Sequence, residues 1–150
     1  MKRQLDRTYR QHQRGVRLTP GVKPLIRDLY RRGVRLGILS DDPKREIIRR
    51  LRREGLRRYF HFIGTSEQYP PKPSPAGVRA FLHSQKLKPV EALFVGDLAD
   101  DIKAGRAAGV RTVAYLNGWQ DTATLRRSHP GFSIRHFDQL LSIFLPRQQK

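Results

Sequence analysis

Three carboxylates stand within five residues, at Asp97, Asp100 and Asp101, in a chain whose formal net charge is +18. An apolar run at 92–95 precedes them and an amphipathic stretch at 102–108 follows, which predicts a strand, a tight turn and a helix. In parallel α/β sheets, ligands bind at the carboxyl ends of the strands. We therefore expect Asp97 to face a cleft and Asp101 to lie one turn into the helix, with Asp100 serving only the helix start.

Two further polar groups are expected at the same edge of the sheet. Ser40 follows the apolar run 34–39 at a strand's carboxyl end, and Lys72 lies in the proline-rich loop 69–75. A hydroxyl and an ammonium suit phosphate oxygens, while carboxylates suit Mg²⁺, which keeps several waters and works with phosphate substrates. Together with Asp97 these groups predict a phosphate and magnesium site. Taken singly, each has a structural alternative: a turn hydroxyl, a solvated lysine or a helix-capping carboxylate.

Helix and strand patterns alternate along the chain, which predicts repeated β-α units and an open, mostly parallel sheet covered on both faces. Helices are predicted over about 22–33, 44–54, 78–82, 102–108, 121–127 and 140–144, and strands over 34–39, 59–65, 92–95, 112–116 and 132–137.

Length and composition narrow the class of protein. The 150 residues suit a single domain, and the lack of cysteine excludes disulfides and thiolate metal sites. No apolar run approaches the roughly 20 residues that span a bilayer, and the N-terminus lacks the apolar stretch of a signal peptide. We therefore expect a cytoplasmic protein without a membrane partner.

The excess of basic residues, 31 Lys plus Arg against 13 Asp plus Glu, has two interpretations. Such a charge attracts polyanions, so the chain could bind nucleic acid. Alternatively, arginine merely covers solvent-facing positions, which the scatter of basic residues over several predicted elements favours. The helix at 44–54 concentrates four arginines on its outer side, namely Arg45, Arg49, Arg52 and Arg53.

Three segments resemble the second, third and fourth motifs of the haloacid dehalogenase-like (HAD) phosphatases, closest to the phosphoglycolate phosphatase-like branch. They are Leu39-Ser40-Asp41, residues 71–75 around Lys72, and residues 94–109. The resemblance runs from about residue 9 to 145. Asp41 departs from the asparagine usual in the second motif, and Leu98 departs from the serine usual in the fourth.

The resemblance implies a HAD-like Rossmannoid three-layer sandwich and a small phosphorylated metabolite as substrate. It implies that Ser40 and Lys72 are catalytic and that Ser40, Asp41 and Lys72 bind the phosphoryl group. Lys72 would also steady the charge of the nucleophile, and Asp97 with Asp101 would hold Mg²⁺.

The family's aspartate nucleophile, in an Asp-x-Asp-x-Thr motif after a first apolar strand, has no clear counterpart. Asp6 and Thr8 resemble the end of that motif, but Gln4 stands at the nucleophile's place. The segment 9–22 resembles the end of the family's cap domain returning to the core. Residues 1–17 are therefore expected to be a basic arm or a remnant of a cap helix, and residues 18–150 the HAD-like core.

The missing strand is the central one of the family's sheet, between the strands that end at Ser40 and Asp97. Three alternatives follow: these strands pair directly, another polypeptide fills the gap, or the chain lacks an N-terminal segment that supplies the strand. The expected function is a Mg²⁺-dependent phosphatase core that is truncated, split or catalytically impaired. The alternative is a non-catalytic scaffold that binds nucleic acid or another polyanion.

Overall fold

Helices and strands alternate along residues 17–144, the part of the chain that the computed structural model describes. The helices are α1 (Val22–Arg31), α2 (Lys44–Arg53), α3 (Ala76–Gln85), α4 (Ala99–Ala107), α5 (Thr122–Arg127) and α6 (Gln139–Phe144). The strands are β1 (Gly37–Ser40), β2 (Phe62–Thr65), β3 (Leu93–Gly96), β4 (Arg111–Tyr115) and β5 (Phe132–Ile134). Short 3₁₀ helices cover Arg57–Tyr59 and Pro89–Glu91. The predicted order of elements is confirmed.

All the strand pairs are parallel, as expected for an α/β fold. The strands form two sheets, however, and not the one that the pattern predicted: β1 pairs with β2, and β3, β4 and β5 lie side by side in that order. The alternative in which the strands ending at Ser40 and Asp97 pair directly is therefore wrong. Each of β1 and β3 has one neighbouring strand and one open edge within residues 17–144.

Two predicted strands are shorter in the structure because their first residues form other contacts. The backbone N–H of Leu36 donates to the Nδ1 atom of His61 at 3.1 Å, so β1 begins at Gly37 and not at Val34. The 3₁₀ helix Arg57–Tyr59 includes the first residue of the run 59–65, and its buried Tyr59 contacts Tyr30 edge to face. The second strand consequently begins at Phe62.

The middle strand of the three-stranded sheet, β4, has a buried centre and lies between two neighbours. Its Val113 and Ala114 are 0% exposed, with α4 packed on one side and α1 on the other side of its sheet. The residues of β3 are only half-buried, and Gly37 of β1 is exposed, although both strands have the apolar sequence of buried strands. The difference follows from the missing neighbour on one edge of each strand.

A cavity of about 560 Å³ separates β1 from β3. We call it the inter-sheet slot. Its strand walls are Ile38 and Leu39 on one side and Leu93, Phe94 and Val95 on the other. Helical residues close it, namely Leu29, Val78, Phe81, Leu140 and Phe144.

Within residues 17–144, no helix is long and apolar enough to cross a membrane. All but one residue of the predicted basic arm at 1–17 lie outside this range, and so do Gln4, Asp6 and Thr8. The prediction of a basic arm or cap remnant and the likeness of these residues to the nucleophile motif both stay predictions.

Candidate functional site

Asp97 follows β3 directly and is held by the loop after β4. The backbone N–H of Trp119 donates to Oδ2 of Asp97 at 2.9 Å, and the N–H of Gln120 donates to the backbone oxygen of Asp97 at 3.3 Å. A side chain on Gly118 would overlap Asp97, so only glycine lets the loop approach this closely. The loop therefore fixes one oxygen of the Asp97 carboxylate.

Asp101 lies in the first turn of α4, where the sequence predicted it, and is 4% exposed. Its Oδ2 atom accepts the backbone N–H groups of Asp97 at 3.2 Å and Leu98 at 3.0 Å. These bonds satisfy donors at the helix start that no carbonyl of the helix can reach. Gly96 permits this arrangement, because a side chain there would overlap Asp101.

Lys72 reaches Asp101 from the proline-rich loop. Its Nζ atom lies 2.6 Å from Oδ1 of Asp101, and the two side chains are 15% and 6% exposed. An ion pair with so little solvent is short and charge-assisted, and each partner compensates the burial of the other. The loop lysine is therefore built into the site and is not a solvated side chain.

Ser40 and Asp41 form the other side of the site. The Oγ atom of Ser40, at the end of β1, accepts the backbone N–H of Asp42 at 3.1 Å. Asp41 is exposed, and its backbone oxygen accepts the Ser66 hydroxyl at 3.0 Å. Ser40, Asp41 and Lys72 line one small pocket of about 20 Å³. Lys72 thus joins the Ser40 side of the site to the carboxylates.

Thr65 belongs to this pocket and was missed by the sequence analysis. It is 3% exposed, and its Oγ1 atom is a buried polar atom without a hydrogen-bond partner among the described residues. Thr65 pairs in register with Ser40 at the ends of two adjacent parallel strands. The sequence could have indicated Thr65, because it is a polar residue that directly follows the apolar run 59–64 at a strand's carboxyl end. The pocket is large enough for about one water molecule, which is what an orphaned hydroxyl requires.

Asp100, the third carboxylate, lies outside the site. Its side chain is 49% exposed and forms a surface ion pair with Lys103 at 3.1 Å. This agrees with the structural role expected for a carboxylate at a helix start.

The residues present fit a magnesium ion chemically. Asp97 keeps its Oδ1 atom without a hydrogen bond to any described residue, and carboxylate oxygens are the ligands that Mg²⁺ prefers. Asp101 shares its Oδ1 with the ammonium of Lys72. Residues 17–144 hold no cluster of three or more His, Cys, Asp or Glu that would enclose a metal. A magnesium ion here would accordingly keep waters or phosphate oxygens as its other ligands.

A family model described as haloacid dehalogenase-like hydrolase matches residues 1–115. The chain belongs to this family. It is 32% identical to phosphoglycolate phosphatase 1 of Pseudomonas aeruginosa over 123 residues. The matched region is 81% of this chain and 45% of the relative. The chain is 33% identical over 128 residues to the phosphoglycolate phosphatase of Haemophilus influenzae, covering 85% of this chain and 57% of that one.

Solved structures confirm the HAD-like α/β fold. The crystal structure of a predicted phosphoglycolate phosphatase from Haemophilus somnus matches with a TM-score of 0.85 and 27% identity, over 96% of this chain and 65% of that one. A HAD-superfamily hydrolase of subfamily IA from Geobacter sulfurreducens matches with a TM-score of 0.71 and 27% identity, over 84% and 55%. The chain spans about half the length of the curated relatives it matches.

Proposed function

We propose that this chain supplies the phosphoryl-binding and magnesium-binding residues of a HAD-type phosphomonoester hydrolase. The observation that carries the proposal is the position of Lys72, which contacts Asp101 at 2.6 Å and lines the pocket of Ser40 and Asp41. The ammonium of Lys72 thus links the hydroxyl of Ser40, which would bind phosphate oxygens, to the carboxylates of Asp97 and Asp101, which would bind the metal. The proposal includes a small phosphomonoester such as phosphoglycolate as substrate, and the cytoplasmic location expected from the sequence.

The hydrogen bonds indicate what each side chain can do. Ser40 accepts a bond from Asp42, so its own hydroxyl proton is available to a phosphate oxygen. Lys72 has three donors and uses one on Asp101, which leaves two for the phosphoryl group. Asp97 presents its unbonded Oδ1 to a metal. Magnesium, when bound, would neutralise charge on the phosphoryl oxygens.

Attack on phosphorus needs a nucleophile, and no Asp-x-Asp-x-Thr motif occurs in the sequence. The proposed activity of these residues alone is therefore binding of phosphate with Mg²⁺, without turnover. Turnover would require an aspartate from a polypeptide segment beyond these residues.

The test is calorimetric titration of orthophosphate into the purified chain at 0.15 M salt with Mg²⁺ present. We expect Ser40→Ala and Lys72→Met each to weaken binding at least tenfold, because each removes a donor to a charged group worth about 1.5–3 kcal/mol. Ser84→Ala and Lys103→Met are the matched controls, since both lie on exposed helix surface away from the site. Equal affinity of the unaltered chain, the two site variants and the two controls would overturn the proposal.

The absence of turnover is checked with generic phosphomonoesters. We expect no phosphate release by the chain alone with Mg²⁺. Release that Asp97→Asn abolishes would contradict the proposed lack of a nucleophile.

A second candidate function is polyanion binding through α2. The exposed arginines of this helix favour it. The side chains of Arg45 and Arg49 are 81% and 75% exposed, although Arg49 also contacts Glu46. We expect the replacement of Arg49, Arg52 and Arg53 by Gln to spare folding and to weaken binding of RNA, with a smaller salt slope. No retention of the unaltered chain on RNA at moderate salt would remove this candidate.

A further inference from the structure

The hydroxyl of Thr65 takes no part in holding the local structure together. Thr65 is the last residue of β2 and is 3% exposed, and its Oγ1 atom has no hydrogen-bond partner among residues 17–144. A threonine at a strand end commonly bonds the following turn with its hydroxyl. Here the turn uses the backbone oxygen of Thr65, which accepts the N–H groups of Gln68 and Tyr69 at 3.0 Å each. The strand and the turn therefore leave the hydroxyl unused.

A buried hydroxyl without a partner lowers stability, because it has lost its hydrogen bonds to water. Valine has nearly the same shape and suits a buried strand, so this position in the strand does not itself require a hydroxyl. Thr112 shows the usual arrangement: it is 2% exposed, and its Oγ1 atom accepts the backbone N–H of Gly131 at 3.1 Å. The contrast indicates that the partner of the Thr65 hydroxyl comes from outside residues 17–144.

The position of Thr65 beside Ser40 indicates what that partner is. The two residues pair in register at the carboxyl ends of β2 and β1. Residues in register on neighbouring strands lie about 4.8 Å apart and point to the same face of the sheet. Two hydroxyls at that separation can both donate to one oxygen atom between them, because an O–H···O bond spans about 2.7 Å. Ser40 has its proton available for such a bond, since its Oγ atom accepts from Asp42.

The pocket lined by Thr65, Ser40 and Lys72 has room for a single oxygen. Its volume is about 20 Å³, which is enough for one water-sized group. Two hydroxyls and an ammonium supply hydrogen-bond donors for an anionic oxygen. Asp41 is the one acidic residue that residues 17–144 contribute to the lining, and it is exposed, so solvent screens its charge.

We infer that this pocket binds one terminal oxygen of the phosphoryl group, and that the Thr65 hydroxyl donates to that oxygen beside the hydroxyl of Ser40. The inference rests on the proposed function and adds a binding residue to it. An ester oxygen carries a carbon substituent that the pocket has no room for, so only a terminal oxygen enters. The pocket thereby directs the leaving group of a phosphomonoester outward, away from β1 and β2.

The test is calorimetric titration of orthophosphate into the full chain with Mg²⁺ present, together with urea unfolding of each variant. Thr65→Val removes the hydroxyl and keeps the shape, so we expect phosphate affinity to fall at least tenfold with the urea midpoint unchanged. Thr65→Ser keeps the donor and loses only a methyl group, so its affinity should stay within about threefold of the unaltered chain.

Thr112→Val is the matched control, because Thr112 is equally buried but lies at the amino-terminal end of β4. We expect the opposite pattern from it. The urea midpoint should fall, since the N–H of Gly131 loses its acceptor, and phosphate affinity should not change.

A second measurement needs no substitution in the pocket. In methyl NMR spectra of the unaltered chain, the methyl resonance of Thr65 should shift during the phosphate titration with the dissociation constant found by calorimetry. The methyl resonance of Thr112 should not shift. If Thr65→Val does not fold, an unshifted Thr65 methyl at saturating phosphate overturns the inference.

Failure of the inference and failure of the proposed function give different results. Weaker binding by Ser40→Ala and Lys72→Met, with unchanged binding by Thr65→Val, overturns the inference alone. Equal affinity of all three variants and the unaltered chain overturns the proposed function and the inference with it. Equal losses in Thr65→Val and Thr65→Ser also overturn the inference, because the shape of the side chain and not its hydroxyl would then decide binding.

Discussion

The ion pair between Lys72 and Asp101 should contribute more to stability than any surface pair of this chain. Lys72→Met keeps the length of the side chain and removes its charge, which leaves Asp101 buried at 6% exposure without a counter-ion. Breaking a buried pair in this way costs about 3–5 kcal/mol. Asp101 keeps two backbone N–H donors, so we expect the lower end, about 3 kcal/mol. For a chain of this size that loss lowers the melting temperature by roughly 6–12 °C.

The assay is urea unfolding followed by circular dichroism, with the midpoint and slope compared between variants. A double-mutant cycle with Asp101→Asn should give a coupling free energy of about 2 kcal/mol, because the two side chains are in direct contact. The Lys103–Asp100 pair is the matched control: it has the same charges at 3.1 Å but is 59% and 49% exposed. We expect its coupling to stay below about 0.5 kcal/mol.

The reasoning would be refuted if Lys72→Met cost no more than Lys103→Met. That result would mean that Asp101 is held by its backbone donors alone. Lys72 would then be a mobile loop residue, and the link between the two sides of the site would be lost.

Three further predictions concern the residues around the site. Gly118→Ala should displace Asp97, because the new methyl overlaps its side chain, and should weaken Mg²⁺ binding about tenfold; unchanged affinity would show that the loop can retreat. Thr65→Val should leave the free energy of unfolding within about 0.5 kcal/mol, because it removes a buried hydroxyl without a partner; a larger loss in urea unfolding would reveal a bound water or ligand at that hydroxyl. The hydrogen bonds from the side chain and backbone of Thr124 lower the pKa of Asp121 below its ordinary 3.8, so its stabilisation of α5 is complete above that pH and is lost as the pH falls through the folded-state pKa. Asp121→Ala should accordingly unfold earlier than the unaltered chain at pH 6, and the difference should shrink as the pH falls below 3.8; a difference that does not change with pH would contradict the assignment.

Local patterns in the sequence predicted the elements that carry the site, and tertiary contacts decided the rest. The strand before Asp97 and the helix after it follow from an apolar run, a glycine and an amphipathic stretch, so Asp101 was predicted in its observed turn. The contact between Lys72 and Asp101 joins residues 29 apart in the chain, and no periodic pattern encodes it. The start of β1 depends likewise on the distant His61, whose ring accepts the N–H of Leu36.

The division into two sheets has the same origin. Strand pairing is a long-range interaction, and an apolar run predicts a buried strand without naming its neighbours. The resemblance to the HAD family predicted that a central strand is missing between the strands ending at Ser40 and Asp97, and it left open whether those two strands pair directly. Within residues 17–144 these strands do not pair, and an open slot lies between them.

The central claim is that Asp97 and its neighbours bind Mg²⁺, and the single tryptophan of the chain permits a direct measurement. Trp119 is 75% exposed and donates its backbone N–H to Asp97, so its fluorescence should report a metal on that carboxylate. We predict a saturable change when Mg²⁺ is titrated into the chain, at least tenfold weaker affinity in Asp97→Asn, and no change of affinity in Asp100→Asn. The same titration curve for Asp97→Asn and the unaltered chain would contradict the account.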